Sequence, residues 1–233
     1  MEVSFIPKMQ HWLKGLTRIL MIIVVFGGIL FLAAGRINWL AAWILIITYF
    51  GYLLFVMIWG LANAPELLGE RGRVADNVKS WDKTINLFYA ILMVALLVVA
   101  GLDGGRWGWS QMAVGVQVAG FLGLILSGGI IWWTMAENAY LSRWARIQAD
   151  RGQVVVTSGP YRYIRHPMYA AILLLVTCMA LGLGSWWALI PAGMICGLFA
   201  LRTVLEDRML RQELPGYKEY CQRVRYRLLP GIW

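Results

Sequence analysis

The sequence predicts an all-α fold: a polytopic membrane helix bundle with about six transmembrane segments, a C-terminal helical hairpin and a cytosolic amphipathic tail. Hydrophobic residues make up 60% of the chain and charged residues 14%, whereas soluble domains contain about 45–50% and about 25%. The apolar residues form six long runs, and each approaches the roughly 20 residues that cross a bilayer as a helix. The runs cover residues 17–35, 39–62, 84–102, 112–136, 167–183 and 186–205.

The flanks of these runs indicate how they are connected. No small-residue cleavage site follows the first run and a second run comes soon after, so we expect a retained span rather than a signal peptide. The fifth run is short, and the turn sequence Gly182–Ser185 leads directly into the sixth. The last two runs are therefore expected to form a tight helical hairpin.

The distribution of basic residues predicts the orientation. If the N-terminus is cytosolic, only Arg36 and Arg106 lie outside, and the other 19 of the 21 Lys and Arg residues lie inside. We therefore expect a multi-pass protein with both termini cytosolic, in a bacterial inner membrane or the endoplasmic reticulum. This bias also explains the net charge of +9 and favours membrane lipids, not nucleic acid, as partners. The sequence does not predict the oligomeric state.

A cluster of polar residues precedes the fifth run. In the sequence GPYRYIRHPMY (Gly159–Tyr169), His166 stands directly before Pro167, a residue suited to the first turn of a helix. A helix N-terminus beside a His can bind a carboxylate or a phosphate. Tyr and Arg at this position could equally be an anchor at the membrane interface, and the residues alone do not decide between the two.

The end of the sixth run carries Arg202 and Glu206, which share one helix face because they are four positions apart. On their own they would be an intrahelical ion pair. In a tight hairpin, however, Glu206 and His166 lie at the same end, and ionisable residues next to lipid are usually functional. The amphipathic tail, residues 208–233, could cover this end as a lid or lie along the membrane as an interfacial helix.

These residues also carry a resemblance to a family. The stretch IQADRGQVVVTSGPYRYIRHPMY, followed by RTVLED and GYKEYCQRV, resembles the isoprenylcysteine carboxyl methyltransferase family, which groups with phospholipid methyltransferases. The resemblance covers about residues 135–230. It implies an integral-membrane enzyme that uses S-adenosylmethionine, with N-terminal transmembrane helices (1–136) and a catalytic cofactor-binding region that includes the hairpin (137–233).

The resemblance also implies roles for individual residues. Arg202 would face the substrate carboxylate near the sulfonium, and Glu206 would hold the amino group of the cofactor. The cofactor-binding residues would be Gln148, Gln153, Val154, Val155, Val156, Tyr161, His166, Pro167, Met168, Tyr169 and Glu206. No metal site is expected, because the three cysteines lack metal-ligand spacing.

The favoured reaction is carboxyl O-methylation of an isoprenylcysteine-like or lipid-like acceptor. A carboxylate is already ionised, so catalysis would rest on positioning and on the exclusion of water. N-methylation of an ethanolamine phospholipid would instead need a base. An NADPH-dependent enzyme similar to sterol reductases is less favoured. The RHxNYxGD pattern that is usual in sterol reductases is absent here, since Tyr169 is followed by Ala170 and Ala171. A non-enzymatic membrane scaffold is a further alternative.

Overall fold

The structure, a computed structural model, describes residues 5–72 and 78–233, and every regular element within them is helical. The α-helices are α1 (Phe5–Ala34), α2 (Leu40–Asn63), α3 (Pro65–Gly72), α4 (Ser80–Ala100), α5 (Val114–Glu137), α6 (Pro167–Gly182), α7 (Leu189–Glu213) and α8 (Tyr217–Arg223). A π-helical turn, Gly101–Trp107, continues α4, and 3-10 turns occur at Ala149–Arg151 and Gly159–Arg162. The predicted helical bundle is confirmed.

Among the described residues, α1, α2, α4, α5 and α7 contain stretches long and apolar enough to cross a membrane. The fifth predicted run forms α6, which has only 16 residues. The sixth run forms α7, which continues to Glu213, well beyond the end of its apolar sequence. Residues 73–77, which follow α3, lie outside the described residues.

The segment between the third and fourth predicted runs is not a simple loop. Its first half is wound into the π-helical turn and packs against α1, where a Cβ on Gly105 would approach the Cβ of Ala34 to 2.5 Å. Asp103 is fully buried in this turn. Its carboxylate accepts hydrogen bonds from the hydroxyl groups of Ser110 and Ser185, so the acid joins this turn to the loop between α6 and α7.

The two ends of the bundle differ in chemistry. At one end, short loops connect α1 to α2, α4 to α5 and α6 to α7; we call this the loop end. At the other end lie α3, the irregular segment 138–166 and the tail 214–233, and we call this the polar end. Backbone and side-chain bonds tie these pieces together there: the amide of Ala145 donates to Asp82 on α4, at 2.9 Å.

Candidate active site

One cavity of about 530 Å³ lies at the polar end. It brings together residues from the segment after α5, the turn before α6, α6 and α7. Every residue that the sequence predicts for the site lines this cavity: Gln148, Gln153, Val154, Val155, Val156, Tyr161, His166, Pro167, Met168, Tyr169, Arg202 and Glu206. Their individual roles stay predictions.

The deep wall of the cavity comes from the membrane helices. Ile22 of α1, Tyr49 of α2, Tyr89 of α4, Ile172 of α6 and Phe199 of α7 all contribute to it. The cavity therefore runs from the polar end into the apolar interior of the bundle, and the N-terminal helices form part of its wall. A concave site of this size with a few converging polar groups is typical of small-molecule binding.

Gln148 holds the backbone of the segment between α5 and α6. Its side-chain nitrogen donates to the carbonyl of Tyr140, and its side-chain oxygen accepts from Arg151 at 2.7 Å. Its amide donates to the side chain of Gln153 at 2.7 Å. Because both polar groups of the Gln148 side chain are already bonded, this residue shapes the cavity wall through the loop that it stabilises.

His166 precedes the first residue of α6 and is buried. Its backbone amide donates to the carbonyl of Arg227 at 2.9 Å, and its ring lies parallel to that of Tyr169 with centroids 5.6 Å apart. Its Nε2 atom is 3.5 Å from the carboxylate of Asp207. The ring is thus fixed between α6, α7 and the tail.

Asp207 and Arg165 form a buried two-point ion pair. The Arg165 Nε and Nη2 atoms donate to the two carboxylate oxygens at 2.9 and 3.3 Å, and Nη1 donates to the carbonyls of Val224 and Arg225. Burial opposes the charge of Arg165, but its bonds to Asp207 outweigh burial and raise the pKa of the guanidinium. Tyr217 also donates to Asp207, at 3.0 Å.

This arrangement places the tail against the site. Leu214, Tyr217 and Tyr220 line the cavity, and Tyr220 donates to the carbonyl of Tyr161 at 2.7 Å. The Tyr161 hydroxyl in turn accepts from Asn138 at 2.7 Å. Burial raises the pKa of Tyr161, so this phenol stays protonated at neutral pH. Of the two alternatives for the tail, the structure therefore has residues 214–228 covering the site.

Glu206 accepts a hydrogen bond from the Tyr169 hydroxyl and lines the cavity. Within the described residues, no Lys, Arg or His lies within ion-pair distance of its carboxylate. The intrahelical pair with Arg202 is therefore not formed. A partly buried carboxylate without a cation is suited to bind a positively charged group of a ligand.

Arg202 pairs with a different acid. Its Nη2 atom lies 2.8 Å from Asp82 of α4, and the same atom donates to the carbonyl of Arg143 at 2.9 Å. The guanidinium also lies over the ring of Tyr169, at 5.2 Å from the centroid, while Nε has no hydrogen-bond partner. Arg202 follows Leu189, the first residue of α7, by 13 positions. That is about 20 Å along the helix, a depth at which an unpaired charge would be costly.

Two further arginines line the cavity without such a partner. Arg71 lies on α3, and Arg143 lies in the segment after α5. No carboxylate of the described residues is within ion-pair distance of either side chain. Each guanidinium interacts electrostatically with the other, and burial lowers the pKa of Arg71.

Sequence reasoning missed Asp82, Asp207 and Arg71. Asp82 stands at the start of an apolar run and Asp207 directly follows Glu206, so each acid had a visible signal: a charge at the edge of a membrane segment. Their partners come from distant parts of the chain and are set only by tertiary packing. Arg71 lies among several charged residues between the second and third apolar runs, and nothing in the sequence separates it from its neighbours.

Sequence comparisons identify known proteins that parts of this chain resemble. Residues 116–215 match the sequence model of a family described as phospholipid methyltransferase. A protein named cobalt-zinc-cadmium resistance protein CzcN, from Cupriavidus metallidurans, is 32% identical over 141 residues. That alignment covers 56% of this chain and 58% of the relative, so the chain spans less than two thirds of the relative's length.

The family match extends from the first turn of α5 to just beyond α7. It includes the segment 138–166, α6, and both Arg202 and Glu206. The resemblance to membrane methyltransferases is confirmed, while its narrower isoprenylcysteine part stays a prediction. Residues 116–215 of this chain thus match the model of the phospholipid methyltransferase family.

Proposed function

We propose that the chain is an integral-membrane methyltransferase that uses S-adenosylmethionine and methylates a lipophilic acceptor in the cavity at the polar end. The observation that carries this proposal is the convergence of all the predicted site residues on one cavity, which continues into the apolar interior. The family match of residues 116–215 supports the same reaction class.

The residues present fit the cofactor. Glu206 faces the cavity with Tyr169 as its hydrogen-bond donor, which leaves its negative charge available for an ammonium group. His166 and Tyr169 offer parallel ring faces at the start of α6. When bound, S-adenosylmethionine would supply a methyl group on a positively charged sulfur, and in-line attack of the acceptor on the methyl carbon would break the carbon–sulfur bond and release S-adenosylhomocysteine.

The protein contributes position and a dry environment. Arg202 is proposed to orient the acceptor, with its charge balanced by Asp82 before the acceptor arrives. The tail residues Tyr217 and Tyr220 line the cavity and would help to exclude water from it. Alignment of the reacting atoms and exclusion of water can together supply a large part of the rate enhancement.

The favoured acceptor is a carboxylate of an isoprenylcysteine-like or lipid-like molecule, because it needs no base. N-methylation of an ethanolamine phospholipid is the second candidate, and the family description favours it. Such an amine must lose a proton, and His166 and Glu206 are the groups in the cavity that could accept one. With both termini cytosolic, the polar end faces the cytosol, where S-adenosylmethionine is made.

Calorimetry with S-adenosylmethionine and the full chain in detergent tests the proposal. Saturable binding is expected, followed by transfer of a labelled methyl group to a lipid extract. A label released by mild base indicates an ester, and a label retained in base indicates an amine. Absence of cofactor binding by the folded protein would overturn the proposal and favour a membrane scaffold.

A further inference from the structure

The cavity has an excess of positive charge. Five arginines line it, and three of them have acidic partners among the described residues: Arg146 with Glu70 and Asp150, Arg165 with Asp207, and Arg202 with Asp82. Arg71 and Arg143 have none there. Among the described residues that line the cavity, only Glu206 carries a carboxylate. Arg71 is partly buried and Arg143 is exposed, so this part of the wall carries a positive charge that an anion would balance.

Arg71 is held in place by the packing of α3. Leu67, one turn earlier, is buried in a cluster with Ile131 and Met135 of α5 and Ala171 of α6. This contact fixes the short helix against the bundle and directs Arg71 into the cavity. The guanidinium there interacts electrostatically with Arg143. It also interacts with the phenol groups of Tyr52, Tyr161 and Tyr169.

The positions of these two arginines point to a ligand. Both line the same cavity, and neither has a carboxylate partner among the described residues. The two positive charges also repel each other. A phosphate or a carboxylate between them would remove the repulsion and could accept hydrogen bonds from both, as planar guanidiniums commonly donate to such groups.

The remaining wall indicates what carries the anion. Next to these groups, the cavity continues between membrane helices along Tyr49, Tyr89, Ile172 and Phe199. An anionic head beside Arg71 would thus have apolar surface within reach for a hydrocarbon chain. This combination is suited to a membrane amphiphile and poorly suited to a small soluble anion.

We propose that Arg71 and Arg143 form a subsite for the anionic head group of a membrane amphiphile, and that this amphiphile is the methyl acceptor. The second half of the statement rests on the function proposed above. Arg71 lies outside residues 116–215 and Arg143 lies within them, so the N-terminal part of the chain would take part in selecting the acceptor, and Arg202 would not have to balance the acceptor's charge.

The test uses the full chain in a neutral detergent without cofactor. Binding of dioctanoyl phosphatidic acid, dioctanoylglycerol and inorganic phosphate is measured by calorimetry for wild type, Arg71→Gln and Arg143→Gln. Arg162→Gln is the matched control. It also removes one positive charge at the polar end, but Arg162 is exposed and does not line the cavity. Arg71→Lys retains the positive charge. This variant and the unfolding midpoint of every variant show whether a loss of lipid binding is caused by misfolding.

Phosphatidic acid is expected to bind wild type more tightly than dioctanoylglycerol does. Arg71→Gln and Arg143→Gln should each weaken its binding about ten- to a hundredfold, as for loss of a charge-assisted hydrogen bond. Arg71→Lys should lose less, and Arg162→Gln should match wild type. Equal affinities in all variants would overturn the subsite. If inorganic phosphate binds as tightly as the lipid, the proposal that the ligand is a membrane amphiphile is wrong.

Cofactor binding is measured on the same variants to separate the two proposals. Normal S-adenosylmethionine binding by wild type, with no preference for the anionic lipid, refutes the subsite alone. Lipid binding that depends on Arg71, without cofactor binding by wild type, refutes the methyltransferase and leaves the subsite standing. A loss of S-adenosylmethionine affinity in Arg71→Gln would assign the subsite to the cofactor and overturn its role in acceptor binding.

Discussion

Asp82 at the start of α4 and Arg202 in α7 form a buried ion pair at 2.8 Å. The pair joins the N-terminal helices to the hairpin that carries the site motifs. The same two regions are joined nearby by Lys79 and Glu213, also at 2.8 Å, but there both side chains are more than a third exposed. The chain thus contains one buried and one exposed ion pair across a single helix–helix contact.

Asp82→Asn should lower the free energy of unfolding by about 3–5 kcal/mol, because it leaves the charge of Arg202 buried without its partner. Glu213→Gln is the matched control and should change stability by about 0–1 kcal/mol. Chemical unfolding in detergent measures both. Equal effects of the two substitutions would show that the Asp82 pair is no more than a surface contact.

Arg202→Lys should slow methyl transfer sharply while leaving cofactor affinity unchanged. Lysine can keep the ion pair with Asp82, but it lacks the planar group that could hold an acceptor at two points. The measurement is single-turnover transfer at saturating S-adenosylmethionine for wild type, Arg202→Lys and Arg202→Ala. Equal rates in all three would exclude Arg202 from acceptor orientation. Parallel losses of cofactor affinity and stability would assign it a purely structural role.

Glu206→Gln should weaken S-adenosylmethionine binding, since a hydrogen bond to a charged group contributes about 1.5–3 kcal/mol. This corresponds to roughly one to two orders of magnitude in affinity. Glu213→Gln removes an acid two turns later on the same helix, outside the cavity, and should bind as wild type does. Calorimetry decides: an unchanged affinity of Glu206→Gln removes this residue from the cofactor site.

Gly120→Ala should destabilise the contact between α5 and α6. A Cβ at this position would lie 2.5 Å from the backbone nitrogen of Gly182, and backbone cannot move aside as a side chain can. Overpacking of this kind typically costs about 1–3 kcal/mol. Gly129 lies on the same helix with open space around it, so Gly129→Ala should be neutral or stabilising. Thermal unfolding in detergent compares the two, and equal midpoints would contradict the close approach.

Membrane orientation can be tested by labelling introduced cysteines in intact cells. With both termini cytosolic, a membrane-impermeant maleimide should label Gln111→Cys, which is exposed at the loop end. Thr157→Cys, exposed at the polar end, should react only after permeabilisation. The reverse pattern would show that the positive-inside rule does not hold for this chain and that the cavity opens away from the cytosol.

The sequence predicted the helices and the site motifs well, because both depend on local patterns. Apolar runs mark the lipid-facing surface, and the residues of RHPMY and RTVLED are close together in the chain. Helix ends were less predictable. The last two turns of α7 are polar, and contacts such as Lys79 with Glu213 hold them, so hydropathy alone ends the helix too early.

The pairings of charged residues could not be predicted for a related reason. Arg202 and Glu206 have the right spacing for an ion pair, yet tertiary packing gives Arg202 a fully buried acid on α4 and gives Glu206 a phenol on α6. A buried acid from another helix outweighs a neighbour four positions away, because the interior lacks the water that would weaken their attraction. The hydrogen bonds of Asp103 could not be predicted either, because they depend on the π-helical turn that positions its carboxylate.

The shortness of α6 has a consequence for the depth at which the site lies. Its 16 residues span about 24 Å, less than the roughly 30 Å of a typical hydrocarbon core. His166, at its start, is therefore expected to lie deeper than the ends of the longer helices. No residue of α6 is exposed, so neighbouring helices, and not lipid, surround this short helix, and an acceptor is expected to reach His166 through the space between those helices.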